Sequence, residues 1–355
     1  MTPQRSAGDV PYAGIMSTRA AGGPLIIGHR GAPGYRPEHS AAAYRLAFEL
    51  GADAVEPDIV ATSDGVLVVR HENEISGTTN VADHPEFAAR RTSKIVDGTK
   101  HTGWFVEDFT WEELSRLRCR ERLAKVRPDN LEYDNTESIL RLRDVLRIVD
   151  EASAASGQPK RVVVEIKHAK FLLQVGLDIG SLLLAELAAT GWDARPEQLI
   201  IESFELGVLE SLSRARVRGT LVYLTERFGT PPDEPQPGRP SRNYAWYRSD
   251  AGLDFLAQRV DGISVAKGNL IRVNALGRAT GPTDLVARAH ARGLLVYTWT
   301  LRPENRYLNV RFQSSLRGAD WGDWQSEFGL ILSSGVDGVF LDHPDLGVAL
   351  RDATA

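Results

Sequence analysis

Two carboxylates interrupt an apolar stretch near the start of the chain. The segment GADAVEPDIVATSDG carries Glu56 and Asp58 among apolar residues, with Pro57 between them. Side chains two residues apart on a β-strand face the same way, so these carboxylates are predicted to point together. Like charges this close repel, and burying them unpaired is costly. A hard divalent cation such as Ca²⁺ or Mg²⁺ would remove both problems, because it binds carboxylate oxygens.

A second apolar stretch repeats this pattern and adds a lysine. The run VVVEIKH places Glu165 and Lys167 two residues apart after three valines. Glu165 is therefore a candidate third ligand for the same cation, and Lys167 is predicted to present a positive charge on the same side. A purely structural ion pair between Glu165 and Lys167 is the alternative that this spacing leaves open.

Two histidines complete a set of groups that could move protons. His29 and Arg30 stand between glycines in IIGHRG, and His71 ends VLVVRHE. Two imidazoles can act as base and acid in one displacement, while a metal ion and nearby cations stabilise negative charge on a phosphoryl group. The pattern predicts metal-assisted phosphodiester hydrolysis. The other six histidines are expected to be hydrogen-bonded or exposed, without a chemical role.

Eight β-rich apolar runs must position these residues. They are PLIIGHRG, DAVEPDIV, RVVVEIKH, QLIIESF, GTLVYLT, DGISVAK, LLVYTWT and GVDGVFLDHP. Helical periodicity fills most of the gaps, over residues 40–50, 136–155, 171–190, 206–215, 251–259 and 282–292. Apolar strands that alternate with helices predict a parallel sheet, and eight units predict a closed (β/α)8 TIM barrel. An open doubly wound sheet is the alternative, although no G-x-G-x-x-G motif follows the first run.

Three connections are too long to be simple loops between a strand and a helix. The first spans about residues 72–135, and VLVVRHENEIS at its start predicts an extra strand leading outward. The other two follow the fifth and seventh strands. All three follow strands, so they are predicted to lie at the end of the barrel where active sites are built. Residues 1–23 are interpreted as a loose leader, and residues 24–355 as one catalytic domain with an insertion at about 72–135.

Composition narrows the class of protein. The 355-residue chain has a formal net charge of −5, so it lacks the excess of basic residues that would indicate a nucleic-acid partner. Its one cysteine excludes an internal disulfide. The sequence contains no run of about 18 apolar residues, so it predicts no membrane span. The N-terminus lacks the apolar core of a signal peptide, which favours a cytoplasmic protein, and a secreted form whose signal has been removed is the alternative. Nothing in the sequence indicates the oligomeric state.

In combination, these motifs resemble the glycerophosphodiester phosphodiesterase family. The opening motif of the family resembles GHRGAPGYRPEHSAAAY, and its second motif resembles GADAVEPDIVATSDGVLVVRHE. Its third motif resembles VVVEIK, and its closing strand resembles GVDGVFLDHPD. Order and spacing hold over about residues 25–346. The long segment after His71 resembles the larger bacterial members, which use calcium. Two departures stand out: Glu72 replaces the usual aspartate after the second histidine, and Pro57 separates the paired carboxylates.

The resemblance implies a barrel enzyme that cuts small-molecule glycerophosphodiesters into glycerol 3-phosphate and an alcohol. It implies that a divalent metal is bound, with Ca²⁺ favoured and Mg²⁺ as the alternative. The implied roles are metal ligation by Glu56, Asp58 and Glu165, acid–base catalysis by His29 and His71, phosphate binding by Arg30 and Lys167, and a contact of Trp299 with the glycerol side.

Two other functions and one mechanistic choice remain open at this point. A phospholipase D-like relative of the same superfamily would be marked by an exposed apolar rim around its site. A non-catalytic barrel that binds phosphate ligands would be favoured if a key residue were missing. The attacking nucleophile is either water or the 2-hydroxyl of the substrate's own glycerol, which would form a cyclic phosphate first.

Overall fold

A closed barrel of eight parallel strands forms the centre of the protein. The computed structural model describes residues 23–235 and 237–354, so the predicted leader at 1–23 lies outside the described residues except for Gly23. The strands are β1 (Leu25–His29), β2 (Ala54–Glu56), β3 (Asp58–Ala61), β4 (Leu67–Val69), β5 (Thr92–Val96), β6 (Thr99–Gly103), β7 (Arg161–Ile166), β8 (Leu199–Ser203), β9 (Thr220–Thr225), β10 (Gly262–Ala266), β11 (Ile271–Val273), β12 (Ala279–Pro282), β13 (Leu295–Leu301) and β14 (Gly338–Leu341).

The barrel closes in the predicted order. Parallel pairing runs from β1 through β2 and β3 to β7, β8, β9, β10, β13 and β14, and β14 pairs back with β1. All eight predicted runs are barrel strands, so the (β/α)8 TIM-barrel prediction is confirmed. Their side chains are almost continuously buried, because helices cover the outside and packed side chains fill the inside.

Helices follow the strands as the periodicity predicted. They are α1 (Ala41–Glu49), α2 (Trp111–Leu114), α3 (Leu142–Ser156), α4 (Ala169–Gln174), α5 (Ile179–Thr190), α6 (Leu206–Arg214), α7 (Tyr244–Tyr247), α8 (Asp250–Leu256), α9 (Leu285–His290), α10 (Trp324–Leu332) and α11 (Pro344–Thr354). Short 3₁₀ helices span Val81–Asp83, Pro85–Arg90, Val106–Asp108, Pro128–Tyr133, Trp192–Ala194 and Lys267–Asn269. Within the described part of the chain, none of the helices is long and apolar enough to cross a bilayer.

Three helix predictions need correction. The segment 171–190 is two helices, because Gly176 adopts a φ of +90° and Asp178 caps a new helix. The segment 136–155 becomes helical only at Leu142, since Arg141 forms an isolated bridge with the outward strand. The segment 282–292 becomes helical only at Leu285, because Pro282 ends the β11–β12 hairpin.

Pro57 divides the second barrel strand into β2 and β3. Proline has no N–H to donate to the sheet, and the ladder is interrupted there, although the Pro57 carbonyl still accepts from the Glu165 N–H at 3.0 Å. Ala54 pairs with Arg161 and Asp58 pairs with Glu165. The offset between partners is the same on both sides, so the proline inserts no bulge.

The insertion after the second strand has an apolar cluster of its own. The outward strand β4 pairs antiparallel with β3, as VLVVRHENEIS predicted, and leads to the β5–β6 hairpin and α2. The cluster has eleven buried side chains, among them Val60 of β3 and Val68 of β4. This cluster holds the insertion against the barrel, so groups on the insertion can take part in a site at the barrel's end.

We expect Phe109→Ala to lower the free energy of unfolding by roughly 3–5 kcal/mol. Phe109 is completely buried in this cluster and meets the Phe87 ring edge to face, with centroids 5.1 Å apart. Urea denaturation measures the change. The control is Ile95→Ala on the β5–β6 hairpin, where the side chain is 68% exposed and the change should stay within about 0.5 kcal/mol. Equal effects of the two substitutions would contradict the packing role of Phe109.

Candidate active site

One cavity of about 470 Å³ opens at the carboxyl ends of the barrel strands. Six of the eight predicted site residues line it: His29, Arg30, His71, Glu165, Lys167 and Trp299. The other two, Glu56 and Asp58, are buried directly against them. The barrel therefore brings together residues that lie as far apart in the chain as positions 29 and 299. Most of them lie toward the carboxyl end of a parallel strand, and His71 returns to the same end on the antiparallel strand β4.

Three buried glutamates form a candidate metal site. Ligand oxygens of Glu56, Glu165 and Glu202 lie within 4.8 Å of one another. Among the described residues, Oε1 of Glu56 and Oε2 of Glu202 find no hydrogen-bond partner. Buried carboxylate oxygens without partners are costly, and oxygen ligands of this kind suit a hard divalent cation. The residues present therefore fit the metal that the motifs imply.

Sequence reasoning missed Glu202. It interrupts the apolar strand LIIES as Glu165 interrupts VVVEI, and the two residues are paired neighbours in the sheet. The shared pattern was the available signal. A single glutamate in a strand carries little information until its neighbours are known.

Burial and neighbouring carboxylates raise the pKa of all three glutamates. Burial, with Asp58 and Glu165 nearby, raises the pKa of Glu56 well above its usual value. Burial and the nearby Glu165 raise the pKa of Glu202 well above its usual value. Burial raises the pKa of Glu165 to about 8, although Lys167 opposes the shift. A bound divalent cation would favour the ionised form of all three groups.

Asp58 has different partners from the three glutamates. Its Oδ1 lies 3.0 Å from Nζ of Lys167, and its Oδ2 lies 3.1 Å from Nε of Arg30 and 2.9 Å from Nε2 of His39. Burial disfavours its charge, but Lys167 and Arg30 hold the pKa of Asp58 well below its usual range. Asp58 therefore orients the two cations of the site, and its predicted role as a metal ligand stays a prediction. His39, for which no role was expected, is part of this network.

Arg30 is fixed through both its backbone and its side chain. Its φ is +57°, and its backbone N–H donates to Oε2 of Glu56 at 2.8 Å. Its guanidinium donates to Glu38 at 3.0 Å and contacts Asp58. Lys167 similarly contacts both Asp58 and Glu165, so the ion pair considered from the sequence exists. Both cations line the cavity and are held there by buried carboxylates.

His29 is oriented by a residue from the other end of the chain. Its Nδ1 lies 2.7 Å from Oδ1 of Asp342, which follows β14, and this contact leaves Nε2 as the nitrogen available to a substrate. Asp342 also accepts from Arg127 at 2.6 Å and from Arg302 at 2.5 Å. Burial, together with Arg30, lowers the pKa of His29 to about 3. The imidazole is therefore neutral near pH 7 and can accept a proton.

His71 pairs with the residue that departs from the family pattern. Its Nδ1 lies 2.6 Å from Oε1 of Glu72, and a quarter of its side chain is exposed. Burial, Arg30 and Lys167 lower the pKa of His71 well below its usual value. The longer glutamate thus reaches the imidazole as an aspartate would be expected to, and leaves Nε2 free for chemistry.

The insertion contributes two arginines that the motifs did not indicate. Arg122 lines the cavity and donates to Glu38 at 2.9 Å. Arg127 is buried between Asp342 and Glu304, at 2.6 and 2.8 Å. The insertion therefore supports the residues that orient His29 and Arg30.

An aromatic wall lies beside the charged groups. The rings of Trp299 and Phe204 meet edge to face, with centroids 5.6 Å apart, and both line the cavity. Nζ of Lys167 is 5.6 Å from the centre of the Phe204 ring. This wall gives the cavity an apolar side against which the carbon skeleton of a small polar substrate can pack.

Solved structures share this fold. The chain aligns with a glycerophosphodiester phosphodiesterase of Agrobacterium tumefaciens with a TM-score of 0.57 and 17% identity, covering 92% of this chain and 99% of that one. It aligns with a phosphodiesterase of Oleispira antarctica with a TM-score of 0.59 and 17% identity, covering 93% of this chain and 97% of that one.

Sequence comparisons identify the family. The chain is 32% identical over 331 residues to a glycerophosphodiester phosphodiesterase of Arabidopsis thaliana, covering 90% of this chain and 83% of the relative. It is 27% identical over 350 residues to the glycerophosphodiester phosphodiesterase of Haemophilus influenzae, covering 94% of this chain and 91% of the relative. The model of the Glycerophosphoryl diester phosphodiesterase family matches residues 29–346. Since this match spans almost the whole barrel and includes every residue of the cavity's charged end, the chain belongs to the glycerophosphoryl diester phosphodiesterase family.

Proposed function

We propose that this barrel hydrolyses glycerophosphodiesters to sn-glycerol 3-phosphate and an alcohol, with a divalent metal and two histidines as general acid and base. Glycerophosphodiester phosphodiesterase activity itself follows from the family and from the relatives that carry that name. The Oleispira antarctica structure is a complex with the product sn-glycerol-3-phosphate, which supports the same product here. The observation that carries the proposal is one cavity that brings together two histidines, two cations and a cluster of buried carboxylates.

Glu56, Asp58 and Glu165 are the proposed metal ligands, with Glu202 as a further candidate. Arg30 and Lys167 are the Lys and Arg side chains that contact these buried carboxylates among the described residues, and Arg30 is also shared with Glu38. A divalent cation would balance negative charge that these two side chains leave uncompensated. When bound, the metal supplies positive charge to a phosphoryl oxygen. The resemblance favours Ca²⁺, which accepts many oxygen ligands in flexible geometry, and Mg²⁺ is the alternative.

The chain's own residues supply the rest of the mechanism. Arg30 and Lys167 bind the phosphoryl oxygens with the N–H donors that Asp58, Glu38 and Glu165 leave free. One of His29 and His71 takes a proton from the nucleophile on its unprotonated Nε2. The other must first bind a proton from solvent on Nε2, a form that the negative phosphodiester beside it favours, and then gives that proton to the leaving oxygen. Each is held in one tautomer by a carboxylate on Nδ1. An in-line displacement requires the two imidazoles on opposite sides of phosphorus.

The direct test is release of glycerol 3-phosphate from glycerophosphocholine. The protein is assayed after chelation, and then with Ca²⁺ or Mg²⁺ added back separately. Loss on chelation and recovery with one ion would support the proposal and identify the metal. Full activity in the chelated protein would contradict metal dependence, and no release with either ion would contradict the proposed reaction on this substrate.

An analogue without the 2-hydroxyl separates the two routes that the sequence left open. If the substrate's own hydroxyl attacks first, a 2-deoxyglycerol phosphodiester cannot form the cyclic phosphate and is not cut. Hydrolysis of the analogue at the normal rate would exclude the cyclic route and leave water as the nucleophile.

We expect Glu72→Gln to lower kcat by about tenfold or more with little change in KM, because partners that orient a functional imidazole typically contribute 10–100-fold. The glutamine keeps the side-chain length but removes the charge that fixes the His71 tautomer. Steady-state kinetics measure the effect. Glu72→Asp, which introduces the usual family residue, is the matched comparison and should retain most of the turnover. Unchanged kcat in Glu72→Gln would show that this contact does not position His71.

A further inference from the structure

Exposed apolar side chains are concentrated at one end of this barrel. Of the ten exposed large apolar residues in the described chain, every one lies in the insertion or in a segment that follows the carboxyl end of a barrel strand. Within residues 23–235 and 237–354, none lies on the barrel's covering helices (α1, α3, α5, α6 and α8–α11) or on the loops at the opposite end. Single exposed apolar residues are normal, but their concentration on one surface indicates an interaction site.

Six of the ten flank the mouth of the cavity. They lie after β9, on the β11–β12 hairpin and in the loop after β13, segments that also contribute cavity-lining residues. We call residues 226–229, 267–282 and 302–322 the mouth surface. Its exposed apolar residues are Phe228, Val273, Leu276, Val310, Leu316 and Trp321. Phe228 is 76% exposed, Leu276 79%, and Leu316 is fully exposed.

Hydrogen bonds join parts of the mouth surface into one unit. Nδ2 of Asn309 donates to the Gly277 carbonyl at 2.9 Å, and Nη1 of Arg311 donates to the Ala279 carbonyl at 2.8 Å. The hairpin and the loop after β13 are therefore held side by side. Their exposed apolar residues are presented on a supported surface rather than on independent loops.

Positive charge accompanies these apolar residues. The hairpin segment 267–282 contains Lys267, Arg272 and Arg278 and no acidic residue. The segment 302–322 contains four arginines against Glu304 and Asp320, and the segment 226–229 contains Glu226 and Arg227. Lys267, Arg302 and Glu304 are paired inside the protein with Glu327, Asp342 and Arg127, and the remaining residues of the three segments still have more basic than acidic side chains. The chain as a whole has a net charge of −5. The cationic mouth surface is thus a local departure from an acidic protein.

We propose that the mouth surface docks onto an anionic phospholipid bilayer, with the cavity facing the headgroups. Exposed apolar side chains surrounded by arginine and lysine bind at the interface of such a bilayer, where the apolar groups enter the headgroup region and the cations meet lipid phosphates. A second copy of this chain is a poorer partner, because two cationic mouth surfaces would repel each other. This docking goes beyond the proposed reaction and does not depend on which phosphodiester is cleaved. An exposed apolar rim was also the expected mark of a phospholipase D-like relative, and release of glycerol 3-phosphate from glycerophosphocholine would favour the proposed reaction over that alternative.

Vesicle co-sedimentation tests the proposal. The full chain is mixed with vesicles of phosphatidylcholine alone, or with about one third phosphatidylserine. We expect binding to the anionic vesicles that weakens with added salt. The apolar variant L276S/L316S and the charge variant R278Q/R317Q should each weaken it by at least about tenfold.

The matched control carries the same change of charge at the opposite end of the barrel. Arg214 ends α6 and Arg218 precedes β9, and both are exposed. R214Q/R218Q should bind the anionic vesicles like the unaltered protein, and all three variants should hydrolyse a water-soluble substrate at the normal rate, since none of the altered residues lines the cavity. Absence of binding by the unaltered protein, or an equal loss in R214Q/R218Q, would overturn the proposal. So would a dimer in sedimentation velocity that L276S/L316S dissociates, because the surface would then join two copies.

Discussion

Replacing His29 or His71 by alanine is expected to lower kcat for glycerophosphodiester hydrolysis by at least about a hundredfold, the lower range for a general acid or base. His29 is neutral near pH 7, because burial and Arg30 lower its pKa to about 3, and Asp342 fixes its tautomer. His71 has the corresponding arrangement with Glu72. Each substitution removes a proton-transfer group but leaves the carboxylate cluster in place.

Steady-state kinetics with saturating metal measure these effects. His101→Ala, on the β6 strand of the insertion hairpin and away from the cavity, is the control and should retain normal turnover. The double variant should be little slower than the slower single variant, because residues that act in one step are not additive. Turnover close to normal in both single variants would refute the assignment of His29 and His71.

Glu56→Gln is expected to weaken metal binding by about 10–100-fold, and excess metal should restore part of the activity. The range is that of substitutions around metal ligands. Glutamine keeps the shape of Glu56 and the contact with the Arg30 backbone, but it removes a charge from a site where Oε1 has no hydrogen-bond partner among the described residues. Isothermal titration with Ca²⁺ and Mg²⁺ measures the affinity directly, without a turnover assay.

Two further variants make this experiment specific. Glu151→Gln removes the same charge from the exposed face of α3 and should leave metal affinity unchanged. Glu202→Gln should weaken the metal if the fourth carboxylate is a ligand, whereas Asp58→Asn tests the ligand that the family motif implies. If Glu56→Gln binds both metals as tightly as the unaltered protein, the carboxylate cluster is not the metal site.

The fold and most of the candidate site could be predicted from sequence because both depend on local patterns. Apolar runs separated by helical periodicity determine a parallel barrel, and parallel closure places every strand's carboxyl end at one mouth. Glu165 and Lys167 could be placed together for this reason, as each interrupts or ends an apolar run. Within single elements, local breaks defeated the prediction: Gly176 divides one predicted helix, and Pro282 delays the start of another.

Only the tertiary structure decided which of these groups touch. His29 and Asp342 are 313 residues apart in the chain and meet because β1 pairs with β14. Glu202 joins the carboxylate cluster because β7 and β8 are neighbours in register. Asp58 and Glu56, two residues apart, differ in their partners and in the direction of their pKa shifts. Residue spacing determines which side of a strand a group occupies, whereas burial and charge pairing depend on strands and loops that are remote in sequence.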